Sequence, residues 1–188
     1  MLDIIFALLV GLITGEPSGD WIMDEQAELL AAHVLKVCPG CSHGPLLAES
    51  ILTEAMARGL DPALMAAVAW TESGYQRGVT GKYGSIGLWQ LYPGHWLAEP
   101  WDEIRIGPRE VRPPWGRLSR RAREVLLRDV LVSTYMAGWV MAYHLERCAE
   151  GGPACYARYQ TGRARVSPRY RGVIAHRARV VRERLRPW

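Results

Sequence analysis

Along most of the chain the apolar positions recur with helical spacing. Leu29, Leu30, Val34 and Leu35 share one face of a predicted helix over residues 21–37, with Asp20 as its N-cap and Cys38-Pro39-Gly40 as its end. Leu46, Leu47, Ile51, Leu52 and Met56 mark a second helix over 45–58, closed by Gly59. Asp61-Pro62 opens a third, with a capping side chain and a first-turn proline in their preferred places, and it stops near Glu72-Ser73-Gly74.

Residues 75–93 hold Gly78, Gly81, Gly84, Gly87 and Pro93 and read as a loop with short extended pieces. Residues 94–119, with Trp96, Pro100, Trp101, Pro108, Pro113, Pro114 and Trp115, read as an irregular insert. A long helix over 120–147 follows, then a short one near 154–160 and an Arg-rich one near 168–185. No internal repeat interrupts this order. The pattern predicts an all-α fold with a minimal strand and loop insert, in one domain over 20–188.

Residues 1–19 stand apart. Positions 4–13 are nearly all apolar, yet about 20 such residues are needed to span a bilayer. The run has the length of a signal-peptide core but no Lys or Arg before it and no clean cleavage site after it. Export signal, surface anchor and buried helix all stay open.

Composition changes the picture in three places. There is one Phe against eight Trp and eight Tyr, side chains that suit wet surfaces and sugar faces as well as cores. The net charge is +4, and residues 158–188 carry ten Arg against one acid, Glu183. That tail fits an anionic wall or membrane surface; an Arg-rich coding bias is enough to explain it without any ligand, and binding to nucleic acid is the weaker reading. The four cysteines form two local pairs, Cys38 with Cys41 and Cys148 with Cys155. In an exported chain these read as two disulfides; a zinc site would need both pairs to converge, with His33 or His43. No metal or other cofactor is expected.

Glu72 is the sharpest candidate for chemistry. Met65, Val68, Ala69 and Glu72 fall on one face of the third helix, so a carboxylate ends an apolar stripe. Desolvation there, and the negative end of the helix dipole, both favour the protonated form. A carboxyl group protonated near neutral pH is what a general acid for glycoside cleavage requires. Periodicity alone also fits a carboxylate turned to solvent at a frayed helix end.

The surrounding residues decide between these. The helix ends in Glu72-Ser73-Gly74-Tyr75, and Gly84-Ser85-Ile86-Gly87-Leu88-Trp89-Gln90-Leu91-Tyr92-Pro93 comes nine residues later. This closely resembles the soluble lytic transglycosylase family, related to goose-type lysozyme, with its Glu-Ser-Gly and Gly-x-x-Gly-Leu-x-Gln motifs. Tyr159-Gln160-Thr161-Gly162 resembles the family's Tyr-Asn-x-Gly, with Gln160 where Asn is usual. Pro168-Arg169-Tyr170 resembles the start of the final family helix. The resemblance spans residues 45–185 and implies a lysozyme-like fold.

It also implies roles. Glu72 is the catalytic acid and base. Ser73, Ser85, Gln90, Tyr159 and Gln160 contact substrate, Ser85 standing where Ala is common. The substrate is peptidoglycan, cleaved between N-acetylmuramic acid and N-acetylglucosamine to leave 1,6-anhydro ends. Two-carboxylate glycosidases need a second acid opposite the first, and no Asp or Glu lies between Glu72 and Glu99. This favours the transglycosylase over a lysozyme-type hydrolase, although Glu99, Asp102 or Glu103 could fold back as a base. An inactive wall-binding module is the further alternative. The implied setting is periplasmic, otherwise extracytoplasmic or virion-associated, and the chain is a monomer unless built into a virion or secretion assembly.

Overall fold

The helix that carries Glu72 packs against three others. The computed structural model describes residues 19–93, 104–106, 110–112, 118–148, 152–160 and 167–185. In chain order its elements are α1 (Gly19–Val37), α2 (Gly44–Arg58), α3 (Pro62–Ser73), β1 (Ile104–Ile106), β2 (Glu110–Arg112), α4 (Arg120–Leu126), α5 (Val130–Glu146), α6 (Gly152–Ala157), a 3-10 turn (Arg158–Gln160) and α7 (Pro168–Arg182). Helix α1 lies along α2, α2 along α5, and α3 is held among α2, α6 and α7. The fold is mostly helical, as the pattern predicts.

Asp61 starts α3 as its cap, its Oδ1 accepting from the backbone N–H of Ala63 (2.8 Å) and Leu64 (3.1 Å). Gly74 ends the helix in the left-handed conformation, φ 62°, with its N–H donating to the Trp70 carbonyl. Every residue from Ala63 to Ala69 is buried. The expected single apolar face is therefore an underestimate. Four alanines keep this helix thin, so neighbouring helices approach it from all sides.

Two boundaries differ from the sequence pattern. Helix α1 begins at Gly19, which puts Asp20 inside its first turn and not at the cap. The long helix expected over 120–147 is two helices, α4 and α5, bent by 93°. The cause is local. Asp129 caps α5, accepting from Val132 N–H at 2.9 Å, and Leu127 turns fully into the core between the two helices.

The loop after α3 is pinned to that bend. Thr80 and Leu91 each bridge to Ile86 in antiparallel fashion, the only extended pairing described in residues 75–93. Gly87, at φ 76°, lies so close to the bend that a Cβ there would meet the Leu127 carbonyl oxygen at 2.2 Å. Only glycine satisfies both constraints. Within the insert, β1 and β2 pair antiparallel, with Arg105 opposite Val111. Trp96, Trp101, Trp115, Glu99, Asp102 and Glu103 lie outside the described residues, as does the apolar N-terminal run.

Cys38 is bonded to Cys41 at the α1–α2 corner, and Cys148 to Cys155 between α5 and α6. Each pair is satisfied locally, so the two do not converge on one centre. No single helix among the described residues is long and apolar enough to cross a membrane.

Candidate functional site around Glu72

Glu72 sits one position before the end of α3, half-buried. The Tyr170 hydroxyl, on the first turn of α7, donates to its Oε1. Burial raises the Glu72 pKa, and the Tyr170 hydrogen bond offsets part of that rise because it favours the ionised form. The free carbonyls at the helix end add negative potential in the same direction as burial. Tyr170 is itself held neutral, first by burial and then by the Glu72 charge.

Tyr159 stands close enough that the Glu72 charge adds to the burial that raises its pKa. Its hydroxyl donates to the Trp89 carbonyl at 2.8 Å. Thus the tyrosine bonded to the acid comes from α7, whereas the tyrosine of the third motif fastens the loop. Trp89 is fully buried, and its indole N–H donates to Thr134 Oγ1 on α5 at 3.0 Å. These two bonds fix the Gly-Leu-Trp-Gln segment between α5 and the turn that follows α6.

Ser73 and Gln90 also work inside the scaffold. Ser73 Oγ donates to the Leu88 carbonyl at 2.7 Å and ties the end of α3 to the loop. Gln90 adopts φ 47°. Its Oε1 accepts from Ser85 Oγ at 2.7 Å, and its Nε2 donates to the Gly87 carbonyl at 2.9 Å. This orientation of the amide is the one its neighbours require. A Cβ on Gly81 would meet Ser85 Oγ at 2.2 Å and Gln90 Oε1 at 2.5 Å, so the second glycine of the loop leaves room for this knot. Gln160 closes the 3-10 turn, and its side chain lies outside the described residues.

Two participants carried no role in the sequence reading. Tyr170 was visible only as the aromatic near the start of the last helix. Arg177, two turns further along α7 on the same face, lies with its guanidinium 4.6 Å from the Trp70 ring centre and acts electrostatically on both Tyr75 and Tyr170. An Arg in a basic tail gives no sign of this on its own.

A partly buried glutamate at the end of a central helix, with two neutral tyrosines beside it and a glycine–glutamine loop folded over the helix end, is the arrangement of a lysozyme-like fold. A family model described as the transglycosylase SLT domain matches residues 49–175, and the chain belongs to that family. It is of the lytic-transglycosylase type, whose domains act on peptidoglycan, typically outside the cytoplasm. No curated protein and no solved structure matches the chain.

Proposed function

We propose that the protein is a peptidoglycan lytic transglycosylase in which Glu72 is the general acid and then the general base. The observation that carries this reading is the desolvated Glu72 carboxyl with Tyr170 on one of its oxygens. Burial raises its pKa, which favours the protonated form that a general acid needs. In this reading the other carboxyl oxygen faces the glycosidic bond.

In the proposed reaction Glu72 protonates the oxygen between N-acetylmuramic acid and N-acetylglucosamine as the C1–O bond breaks. The acetamido group of the muramoyl residue closes on C1 and carries the positive charge. Glu72, now ionised and stabilised by the Tyr170 hydroxyl, removes the proton from the muramoyl C6 hydroxyl. The C6 oxygen displaces the acetamido oxygen, leaving a 1,6-anhydro ring and a carboxyl group ready for another cycle. Tyr170 holds the carboxylate in place in both steps. Ser73, Ser85, Gln90 and Tyr159 act by fixing the loop beside Glu72, since their polar atoms are engaged with one another and with loop carbonyls.

The two local disulfides fit an oxidising, extracytoplasmic setting. The basic helix supports attraction to an anionic wall, although Arg179 pairs with Glu183 and Arg182 with Asp61. Incubation of purified sacculi with the protein and with Glu72→Gln tests the assignment. Soluble muropeptides from the native chain and none from the variant are expected; release by both would remove Glu72 from the chemistry, and release by neither would favour a wall-binding module.

A further inference from the structure

The turn that follows Glu72 is conformationally expensive. Gly74 and Tyr75 take φ values of 62° and 67°, so two successive residues are left-handed and the second is not glycine. Such a conformation persists only where the surroundings impose it. Tyr75 is completely buried, its ring stacked near Trp70 and met edge-on by His33. Its carbonyl oxygen accepts a hydrogen bond from His43 Nε2 at 2.9 Å, which requires the tautomer with the proton on that nitrogen.

His43 reaches Tyr75 because of how the α1–α2 corner is built. It occupies the N-cap position of α2, where a Ser, Thr, Asp or Asn usually serves the helix, yet it makes no capping bond. Its ring is directed across to the end of α3. The corner beneath it is closed by the Cys38–Cys41 bond and by backbone bonds from Cys41 to Cys38 and from Gly44 to Cys41. Cys41 Sγ, which carries no proton, packs 3.4 Å from the same Tyr75 oxygen. Cys38, Cys41, His43 and Gly44 precede the segment that the family model matches, 49–175, whereas Tyr75 lies within it.

We infer that His43, set by the disulfide-closed corner, is a positioning residue for Glu72: its hydrogen bond to the Tyr75 carbonyl pins the left-handed turn that holds the end of the catalytic helix. The inference rests on the reading of Glu72 as the acid. Without the bond, a buried carbonyl loses its donor and the turn relaxes towards ordinary backbone geometry. The last turn of α3 then loosens and the Glu72 carboxyl gains solvent.

The test compares His43→Met, which keeps bulk and removes the donor, with His43→Gln, whose amide can donate from a similar position; His43→Leu replaces the first if that chain does not fold. Carbon-13 NMR titration of the Glu72 carboxyl, made without substrate, is read beside kcat and KM on soluble uncrosslinked glycan strands. His43→Met is expected to lower the Glu72 pKa towards the ordinary carboxylate range and to cut kcat roughly tenfold with little change in KM, since small misplacements of a reacting group have effects of that order. His43→Gln is expected to restore most of both. An unchanged Glu72 titration in the donorless variant, or equal impairment of the two variants, overturns the inference. A native chain that leaves glycan uncut would refute the reaction assigned to Glu72, and the titration would still decide whether His43 positions its carboxyl.

Discussion

Tyr170 and Glu72 are 98 residues apart in sequence, and the hydroxyl of the first donates directly to the carboxyl of the second. That bond couples the last helix to the end of the central one. It favours the ionised carboxyl, against the burial that favours the protonated one. Removing it with Tyr170→Phe should raise the Glu72 pKa further. In the proposed reaction Glu72 must carry a proton at the start, so the alkaline limb of the pH–rate profile should move to higher pH. At the same time kcat should fall by roughly ten- to a hundredfold, the effect of losing a hydrogen bond to a charged group, about 1.5–3 kcal/mol. Steady-state rates from roughly pH 4, near the usual carboxylate value, up to about pH 9 measure both effects.

The Trp89 indole N–H has Thr134 Oγ1 as its partner in a fully buried setting. Thr134→Val keeps the shape and removes the acceptor. The stranded N–H should cost about 1–3 kcal/mol in chemical denaturation. The same variant should reduce activity, because Trp89 also accepts from Tyr159 beside the site. Full stability in Thr134→Val would mean that this bond does not anchor the loop.

Gly87→Ala meets two obstacles, a backbone at φ 76° and the Leu127 carbonyl at 2.2 Å from the new Cβ. Strain of this kind alone costs about 1–3 kcal/mol, and the clash with rigid backbone adds to it. Gly78→Ala, whose Cβ would have nothing within 4 Å, serves as the control. Thermal melts should show a large drop for the first and almost none for the second.

These two loop residues also show what the sequence could and could not convey. The spacing Glu72 to Gln90 and the glycines between them were legible, because turn chemistry and the family pattern both operate over short distances. The destination of the Gln90 amide was not. Its donors and acceptors are satisfied by Ser85 and Gly87, within its own loop, and a motif records the residue without recording what it bonds. The break between α4 and α5 was written in Asp129, a capping residue ahead of an apolar run, but the continuous apolar pattern on both sides concealed it. Tyr170 could be seen as a helix-start aromatic, whereas its pairing with Glu72 depends on how α7 crosses α3, a tertiary fact.

His33 offers a test of the core under acid. It is 2% exposed between Trp70 and Tyr75, and burial, followed by the charges of Arg184 and Lys36, lowers its pKa from 6.5 to about 4. The unfolded chain therefore binds more protons than the folded one between those values. The stability this contributes is fully present above 6.5 and is lost as pH falls from 6.5 towards 4. His33→Phe, an unprotonatable ring of similar shape, should lose less stability between pH 7 and pH 4.5 than the native chain, an interval set by roughly the usual histidine range. Denaturation midpoints at the two values measure it; identical losses in both chains would assign the acid sensitivity elsewhere.

In the proposed reaction Glu72 alone supplies the proton and then takes one back from the substrate. Mass spectrometry of the products released from purified sacculi tests this most directly. Muropeptides ending in 1,6-anhydro-N-acetylmuramic acid, formed without incorporation of water oxygen, and their complete loss in Glu72→Gln are expected. Products with reducing ends carrying oxygen-18 from labelled water, or undiminished release by the variant, would contradict it.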